Sequence, residues 1–459
     1  MALGGGTWLT QNKKLPGYYH NVISRQRATA NISDRGIAAA PFKLSWGEVG
    51  KVFLVERNEF YKNSMKIFGY AYTAPEMWAL REIFKHAMKV YCYRLGATVD
   101  NTATAQEGDV GEPITNGHSQ ASCTYATARY PGKRGNDIKL LISNDIDNEK
   151  VFIVKTLVGG SCFDTQKVET YAELKDNDWV LFDKSNDTAL AINTGMNLEG
   201  GLDGEPTGLD YQNFLAAIEP YNFHSLCCPT DDETTVSLFA QTTESQRDEF
   251  GVKYQLVAWH STANYEGVIN VWNEATHSTI NVPENASVYW VAGTEAACAI
   301  NKTLTNTKYD GELNINVDYK QAQLEEAIDK GRFMFHNVNG EVRVLEDINT
   351  FTETTDTKGD DFKSNQTIRV VDQISNDMAV LFNNRYLGKV QNDAIGRGAL
   401  WNDFVCYFKE LERLRTVEGF DPEIIICELG DNKKSVETTV NGLYIVNAMS
   451  QLYMTTVII

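Results

Sequence analysis

Strands and helices alternate between residues 181 and 347, and this order restricts the fold more than any other feature of the chain. A helix-like stretch at 211–218 precedes a strand-like run at 223–228. Further helices are predicted at 233–250, 292–301 and 321–330, and further strands at 254–259, 267–272 and 332–337. Strands separated by helices pair in parallel, because each helix carries the chain back across a face of the sheet. The pattern therefore predicts a central α/β domain with a mostly parallel sheet and helices on both faces.

The segments on either side of this region differ from it in composition. Residues 34–95 combine strand-like runs with a helix, whose buried face is predicted to carry Leu80, Phe84 and Met88, and predict an N-terminal α+β domain. Residues 96–180 are richer in glycine, threonine, serine and asparagine, and their recurrent short strand-like runs predict an inserted β-sandwich domain. Residues 348–459 predict an α+β C-terminal domain. The fold class is thus an α/β multidomain protein with extended N- and C-terminal arms.

The first 33 residues read as an arm rather than as part of a core. A glycine-rich start and Pro16-Gly17 lead into a short extended run from Tyr18 to Ile23. Residues 1–35 contain five basic residues and one acidic residue, whereas the whole chain has a formal net charge of −19. About 20 extended residues span roughly 70 Å. A basic arm of this reach on an acidic body predicts contact with an acidic surface, such as another copy of the chain.

The C-terminus is a bare strand-like run, because residues 452–459 carry no charged side chain. An uncovered strand of this kind recruits another chain unless something pairs with it. The tail is therefore expected either to lie inside its own sheet or to pair with a neighbouring molecule.

An amphipathic helix is predicted over 400–415 in the same region. Apolar residues such as Leu400, Phe404 and Phe408 recur at helical spacing and define a buried face. Lys409 and Arg413 lie one turn apart on another side of the helix. This basic pair either belongs to an ordinary solvated face or docks an acidic partner, and composition leaves both interpretations open.

The sequence contains no motif for catalysis or cofactor binding. No GxGxxG follows a strand, and the patterns GxxxxGK[ST], GxSxG and HExxH are absent. Eight cysteines without CxxC spacing predict reduced thiols. The sequence therefore predicts no enzyme, no cofactor, no metal site, no nucleic-acid partner and no membrane insertion. The rival interpretation is an α/β hydrolase-like enzyme whose site is assembled from distant residues.

Five short blocks occur in order along the chain: LGGGTW at 3–8, YPGKRGNDI at 130–138, YEGV at 265–268, WVAG at 290–293 and GKVQNDAIGR at 388–397. Together they resemble the contractile-tail sheath proteins of phages and prophages of Gram-positive bacteria. The resemblance implies a structural subunit that stacks as hexameric rings around an inner tail tube and contracts. It also implies a central domain that is subtilisin-like in fold but lacks the protease triad.

The resemblance further implies partners and sites. The partners are other copies of the chain, the inner tail tube protein, and the baseplate and tail terminator proteins. The location is a virion tail or tail-like particle assembled in the host bacterial cytoplasm. The sheath of a phage-tail-like bacteriocin or of another contractile injection particle remains an alternative. Lys409 and Arg413 become candidate tube contacts. Strand exchange between subunits is expected of ten residues: Tyr18, Tyr19, Val22, Ile23, Leu452, Tyr453, Met454, Val457, Ile458 and Ile459.

One dipeptide departs from the expected pattern. Asn441-Gly442 is typical of a tight hairpin turn, whereas the family resemblance implies one long strand through this region. We interpret the dipeptide as a bulge or kink in that strand.

Overall fold

A computed structural model describes residues 35–98, 117–182 and 189–458. Five of the predicted exchange residues, Tyr18, Tyr19, Val22, Ile23 and Ile459, lie outside these ranges. The described residues form two compact units: residues 377–445 make one, and residues 35–376 with 446–458 make the other.

Helices and strands are numbered here in chain order. The helices of the described residues are α1 Arg57–Phe68, α2 Trp78–Phe84, α3 Gly208–Ile218, α4 Glu233–Asp248, α5 Val288–Ala297, α6 Gln321–Asp329, α7 Asn365–Leu381 and α8 Ala394–Arg413. The strands are β1 Ile37–Phe42, β2 Val52–Glu56, β3 Lys89–Arg94, β4 Ala97–Thr98, β5 Gly117–His118, β6 Ala126–Ala128, β7 Ile138–Asn144, β8 Phe152–Val158, β9 Ser161–Val168, β10 Val180–Phe182, β11 Met196–Asn197, β12 Ser225–Cys228, β13 Gln255–Trp259, β14 Val268–Val271, β15 Ala275–Thr276, β16 Asn314–Ile315, β17 Arg332–Phe333, β18 Phe335–Val338, β19 Glu341–Val344, β20 Ile425–Leu429 and β21 Val436–Val440.

The larger unit is built on a seven-stranded sheet in the order β17-β14-β13-β12-β1-β3-β2. All neighbouring strands pair in parallel except β2, which is antiparallel to β3 at one edge. The predicted mostly parallel sheet is therefore confirmed. Strands β1, β2 and β3 of residues 34–95 belong to the same sheet as β12, so the predicted N-terminal and central domains share one sheet. Strand β1 is buried along nearly its whole length and has to pair on both edges.

Helices cover both faces of this sheet, as predicted. Ala38 and Ala40 of β1 belong to one apolar core, with Leu80 of α2 and Trp290 of α5. Ala39 belongs to the core on the opposite face, where α3 and α4 pack. Successive strand residues point to opposite faces, so this run of small residues serves both cores.

Helices α2 and α5 approach each other closely at Gly293. A β-carbon built at this position would lie 2.2 Å from the carbonyl oxygen of Ile83, so any larger residue would force the helices apart. The α5 helix runs over Val288–Ala297, whereas the sequence predicted a helix over 292–301. A 3-10 turn at Glu284–Ser287 leads directly into it, which explains the earlier start.

The β insert is confirmed as a largely antiparallel structure. Its main sheet has the order β11-β7-β8-β9, and β6 pairs with β10. Alternate residues of β7 are fully buried, as expected for strands with one face on a core. Strand β11 adds to this sheet beyond residue 180, where the sequence analysis placed the domain boundary.

Three further sequence predictions are corrected locally. The predicted strand at 332–337 is two strands, β17 and β18, interrupted at Met334. Met88, which was predicted on the buried face of a helix, is 55% exposed because α2 ends at Phe84. The predicted helix at 400–415 is α8, which begins at Ala394 because the carboxylate of Asp393 accepts a hydrogen bond from the Gly396 amide at 2.7 Å.

The smaller unit contains the end of α7, a π-helical turn at Phe382–Tyr386, α8 and the β20–β21 hairpin. Leu400, Phe408 and Leu411 of α8 are buried, which confirms the predicted apolar face. The Tyr407 hydroxyl donates a 2.8 Å hydrogen bond to the Asp377 carboxylate. Strand β21 ends at Val440, and Gly442 has a φ of 74° with no hairpin partner strand after it. The dipeptide therefore follows the end of β21 and makes no tight hairpin turn, and the long strand that the family resemblance implies does not continue through it in the described residues.

Candidate assembly surfaces

The C-terminal tail lies open to solvent. Its predicted exchange residues Leu452, Tyr453, Met454, Val457 and Ile458 are 87, 89, 80, 78 and 91% exposed. None of residues 446–458 belongs to a strand of the described structure. Contiguous exposed apolar side chains of this kind mark an interaction segment or an aggregation hazard.

The root of this tail is fixed, in contrast to its end. The Gln366 side chain donates to the carbonyl of Val446 at 3.3 Å and accepts from the amide of Ala448 at 3.0 Å. Thr367 and Asn447 exchange a hydrogen bond at 3.2 Å. The first turn of α7 thus holds residues 446–448, and the apolar residues beyond them project from a defined point.

The root of the N-terminal arm is fixed by a buried charge cluster. Arg35 donates to the carbonyl of Cys298 at 2.9 Å and lies 3.5 Å from the carboxylate of Glu295. Arg369 of α7 forms ion pairs with both Glu295 and Asp347, and these three side chains are at most 1% exposed. Burial raises the pKa of the Glu295 carboxyl to about 7, and the two guanidinium groups oppose that shift.

The β20–β21 hairpin is a sheet of two strands, with Ile425 opposite Val440 and Leu429 opposite Val436. Ile425, at the start of β20, is buried, and its carbonyl accepts a 3.0 Å hydrogen bond from the indole of Trp401 in α8. A two-stranded sheet is marginally stable alone, and its edge backbone groups are open to a further strand. Leu429 at the end of β20 is 52% exposed.

An apolar recess lies beside β21, and we refer to it as the β21 pocket. It has a volume of about 100 Å³ and is lined mainly by the π-helical turn, the first turns of α8 and the start of β21. Leu387 and Val390 at its mouth are 59% and 41% exposed, and Leu400 and Val436 line it. Its size corresponds to about one apolar side chain.

One side of α8 forms an exposed stripe. It comprises Ile395, Ala399, Asn402, Cys406, Lys409 and Arg413. Arg413 donates two hydrogen bonds to Glu410, at 2.8 and 2.5 Å, so its charge is partly compensated within the helix. Lys409 has no ion pair in the described part of the chain. The two predicted tube contacts are therefore exposed on one side of the helix, but they differ in charge balance.

The titratable groups of the described residues were compared with the arrangements that hold a metal ion. Residues that the structure describes contain no group of three or more potential metal ligands from His, Cys, Asp and Glu. The His224 imidazole accepts a hydrogen bond from the Ile37 amide at 3.3 Å, and burial lowers its pKa to about 3. This histidine is a neutral structural residue that links β1 to the start of β12. Among the described helices, none has the length and apolar character needed to cross a membrane.

Four family models match consecutive parts of the chain. Residues 35–95 match the tail sheath protein Gp18 domain III N-terminal region, and residues 115–203 match the phage tail sheath protein β-sandwich domain. Residues 204–350 match the phage tail sheath protein central domain, and residues 357–459 match the phage tail sheath C-terminal domain. All four describe structural sheath proteins, in agreement with the prediction that the chain is not an enzyme.

Relatives and solved structures point the same way. The chain is 30% identical to the phage-like element PBSX protein XkdK of Bacillus subtilis over 398 residues, which cover 82% of this chain and 81% of that protein. It is similar to the sheath tail protein of Desulfitobacterium hafniense, with a TM-score of 0.81, 30% identity and coverage of 95% of this chain and 99% of that one.

A more distant structure shares the fold alone. The helical sheath of the anti-feeding prophage in its contracted state is 12% identical, with a TM-score of 0.55 and coverage of 97% of this chain and 99% of that one. The resemblance seen in the sequence is confirmed by these matches, and the chain belongs to the phage tail sheath family of Gram-positive bacteria and their phages.

Proposed function

We propose that this chain is the repeating subunit of a contractile tail sheath that stacks as hexameric rings around an inner tail tube. The observation that carries the proposal is the exposed apolar tail of a sheath-family chain, which has a fixed root and no strand partner of its own. A soluble monomer gains nothing from such a segment, whereas a polymer uses it as a link between subunits.

The proposed link is strand exchange. Residues 452–459 of one copy would pair with the edge of the β20–β21 sheet of a neighbouring copy, and residues 18–23 would do the same from the N-terminal side. A strand of eight residues is roughly 26 Å long. Each added ladder hydrogen bond contributes about 1 kcal/mol net. Exchange would also complete a sheet that has only two strands in the described chain.

The β21 pocket offers a means of fixing the register of this exchange. A slip of one residue turns every side chain of a strand to the opposite face. A recess that holds one apolar side chain beside β21 would favour one register. The side chain that enters it would come from residue 452, 454 or 458 if one face of the incoming strand is toward the pocket, and from residue 453 or 457 if the other face is.

Contraction would follow from repacking between subunit bodies. Fixed arm and tail roots allow each larger unit to move as a rigid body while its terminal strands remain attached to neighbours. The free energy would come from new contacts between subunits, without nucleotide hydrolysis. The exposed stripe of α8, with Lys409, is the proposed contact with the tail tube. The baseplate and tail terminator proteins are the further proposed partners, and a subtilisin-like central domain remains a prediction.

The proposal is tested by imaging the purified full-length chain by negative-stain electron microscopy, alone and with purified tail tubes. Rings or hollow tubes of uniform width, formed alone or on the tubes, are the expected result. Monomers that neither polymerise nor coat tail tubes across a range of protein and salt concentrations would contradict the proposal.

A further inference from the structure

A crevice opens at the carboxyl ends of three strands of the central sheet. Phe42 ends β1, Leu95 follows β3 and Pro229 follows β12, and all three residues line it. The chain leaves β1 toward β2 and β3, and it leaves β12 toward β13 on the other side. Such a point of divergence in a parallel sheet is where ligands bind. The crevice has a volume of about 860 Å³, within the usual range of binding sites.

The floor of the crevice is aromatic. The rings of Phe42 and Tyr289 stack with their centroids 5.4 Å apart, and Trp78 meets Tyr289 edge-on at 5.5 Å. Tyr211 of α3 also lines the crevice. Phe42 and Tyr289 are buried, so Trp78 and Tyr211, which are half-buried, offer the accessible aromatic surface. Aromatic rings attract cations that lie over their faces.

The rim of the crevice is acidic. Glu76, Asp231 and Glu284 line it, are exposed, and form no ion pair within the described part of the chain. The cation among the described lining residues is Lys43, which is already paired with Glu205. The rim therefore holds uncompensated negative charge.

An anionic ligand is disfavoured even though two helices begin at the crevice. The Asp210 carboxylate closes the first turn of α3 by accepting from the Thr207 amide at 2.7 Å. The Asp232 carboxylate caps α4 by accepting from the Thr235 amide at 2.8 Å. The helix ends that would attract an anion already have carboxylates against them.

The side-chain oxygen of Asn285, in the crevice, has no hydrogen-bond partner among the described residues. Asn285 is 3% exposed. A buried polar group without a partner is uncommon in a folded protein. This acceptor, the acidic rim and the aromatic floor all favour a ligand that donates N–H groups and carries positive charge.

We infer that the crevice binds a lysine or arginine side chain of a second copy of this chain, an inference that rests on the proposed sheath assembly. Exposed lysines of the described structure, such as Lys150, Lys302 and Lys433, have no ion pair there and are available to a neighbour. A long aliphatic stem over the aromatic floor with its charged end at the acidic rim matches both parts of the crevice.

Isotope-resolved cross-linking tests this inference. Full-length chains with natural and heavy nitrogen are mixed, assembled into tubes and treated with a carbodiimide, which joins carboxylates to amines in direct contact. The expected result is a light-to-heavy cross-link from Glu76, Asp231 or Glu284 to a lysine. The Lys43–Glu205 pair serves as the internal control, because it should cross-link within one copy.

The carbodiimide does not couple arginine, so a second experiment tests whether an arginine occupies the crevice. It compares two triple variants that remove the same number of charges. E76Q/D231N/E284Q is compared with E219Q/E244Q/D329N, whose residues are exposed elsewhere on the same unit. The crevice variant should require at least about tenfold more protein to form tubes by sedimentation, whereas the control variant should assemble like the parent. Circular dichroism should give the same melting curve for all three proteins.

The outcomes separate the crevice from the sheath proposal. If the parent chain forms no tubes and coats none, the sheath proposal fails before the crevice is reached. If tubes form, no inter-copy cross-link involves the crevice and the crevice variant assembles normally, the inference about the crevice is wrong. Equal losses in both triple variants would also contradict it, because net charge rather than the crevice would then control assembly.

Discussion

At the scale of single residues, Arg369 is the charge on which the root of the arm depends. It compensates Glu295 and Asp347, which are buried with it. Removing one partner of a buried ion pair costs about 3–5 kcal/mol, because the remaining charge has no water around it. Arg369→Met should lower the free energy of unfolding in urea by that amount. Arg413→Met is the matched control, since its pair with Glu410 is exposed to solvent and should contribute little to the free energy of unfolding.

Glu82 makes stability depend on pH near neutrality. Burial raises the pKa of this carboxyl to about 7, although the Tyr309 hydroxyl donates to it at 2.7 Å. The folded state therefore binds a proton that the unfolded state has lost between pH 4.5 and about 7. The stabilisation from this protonated carboxyl is fully present below pH 4.5. As the pH rises from 4.5 to about 7, the free energy of unfolding should therefore fall by roughly 3 kcal/mol. The difference in unfolding free energy between the parent and Glu82→Gln should follow this course, and a difference that is independent of pH would contradict it.

At the scale of elements, the β21 pocket should matter for assembly and little for folding. Leu387→Asp places a charge at its mouth, where an apolar side chain of the incoming strand is proposed to enter. Val380→Asp is the matched control, because Val380 is 57% exposed in the same unit and does not line the pocket. Tube formation followed by light scattering should be lost in the first variant and retained in the second. If the two variants formed tubes to the same extent, the β21 pocket would have no part in assembly.

Helices and strands with a strong local pattern could be predicted from the sequence. Strand β12 and helix α4 were predicted within a few residues, because continuous apolar runs and helical periodicity are local signals. The start of α8 was placed six residues late, since the apolar pattern begins at Leu400 whereas the Asp393 cap fixes the true start.

The sequence did not reveal which distant segments of the chain lie side by side in the fold. The pairing of β1 with β12 joins residues that are far apart in the chain, so the shared sheet was missed. The same reason hid the crevice, whose carboxylates lie on three separate segments. The exposed tail and the basic pair on α8 were visible in the sequence because each lies within a single element.

At the scale of the whole molecule, the surfaces proposed to join sheath subunits differ from the surface proposed to contact the tube. Lys409→Glu should leave spontaneous tube formation unchanged and abolish the coating of tail tubes, because it reverses the charge on the proposed tube-facing stripe. Arg413→Gln should have a smaller effect, since Glu410 already compensates that charge. Co-sedimentation with purified tail tubes measures both. Normal coating by the Lys409 variant would exclude this stripe as a charged contact.

The central claim is that copies are joined by exchanged strands, and a cryo-electron microscopy map of the assembled tube tests it most directly. Residues 452–458 of one copy should lie as an added strand along the β20–β21 sheet of another copy, so that each such sheet has more than two strands. A map in which the tail pairs only with its own chain, or stays unpaired in a fully formed tube, would contradict it.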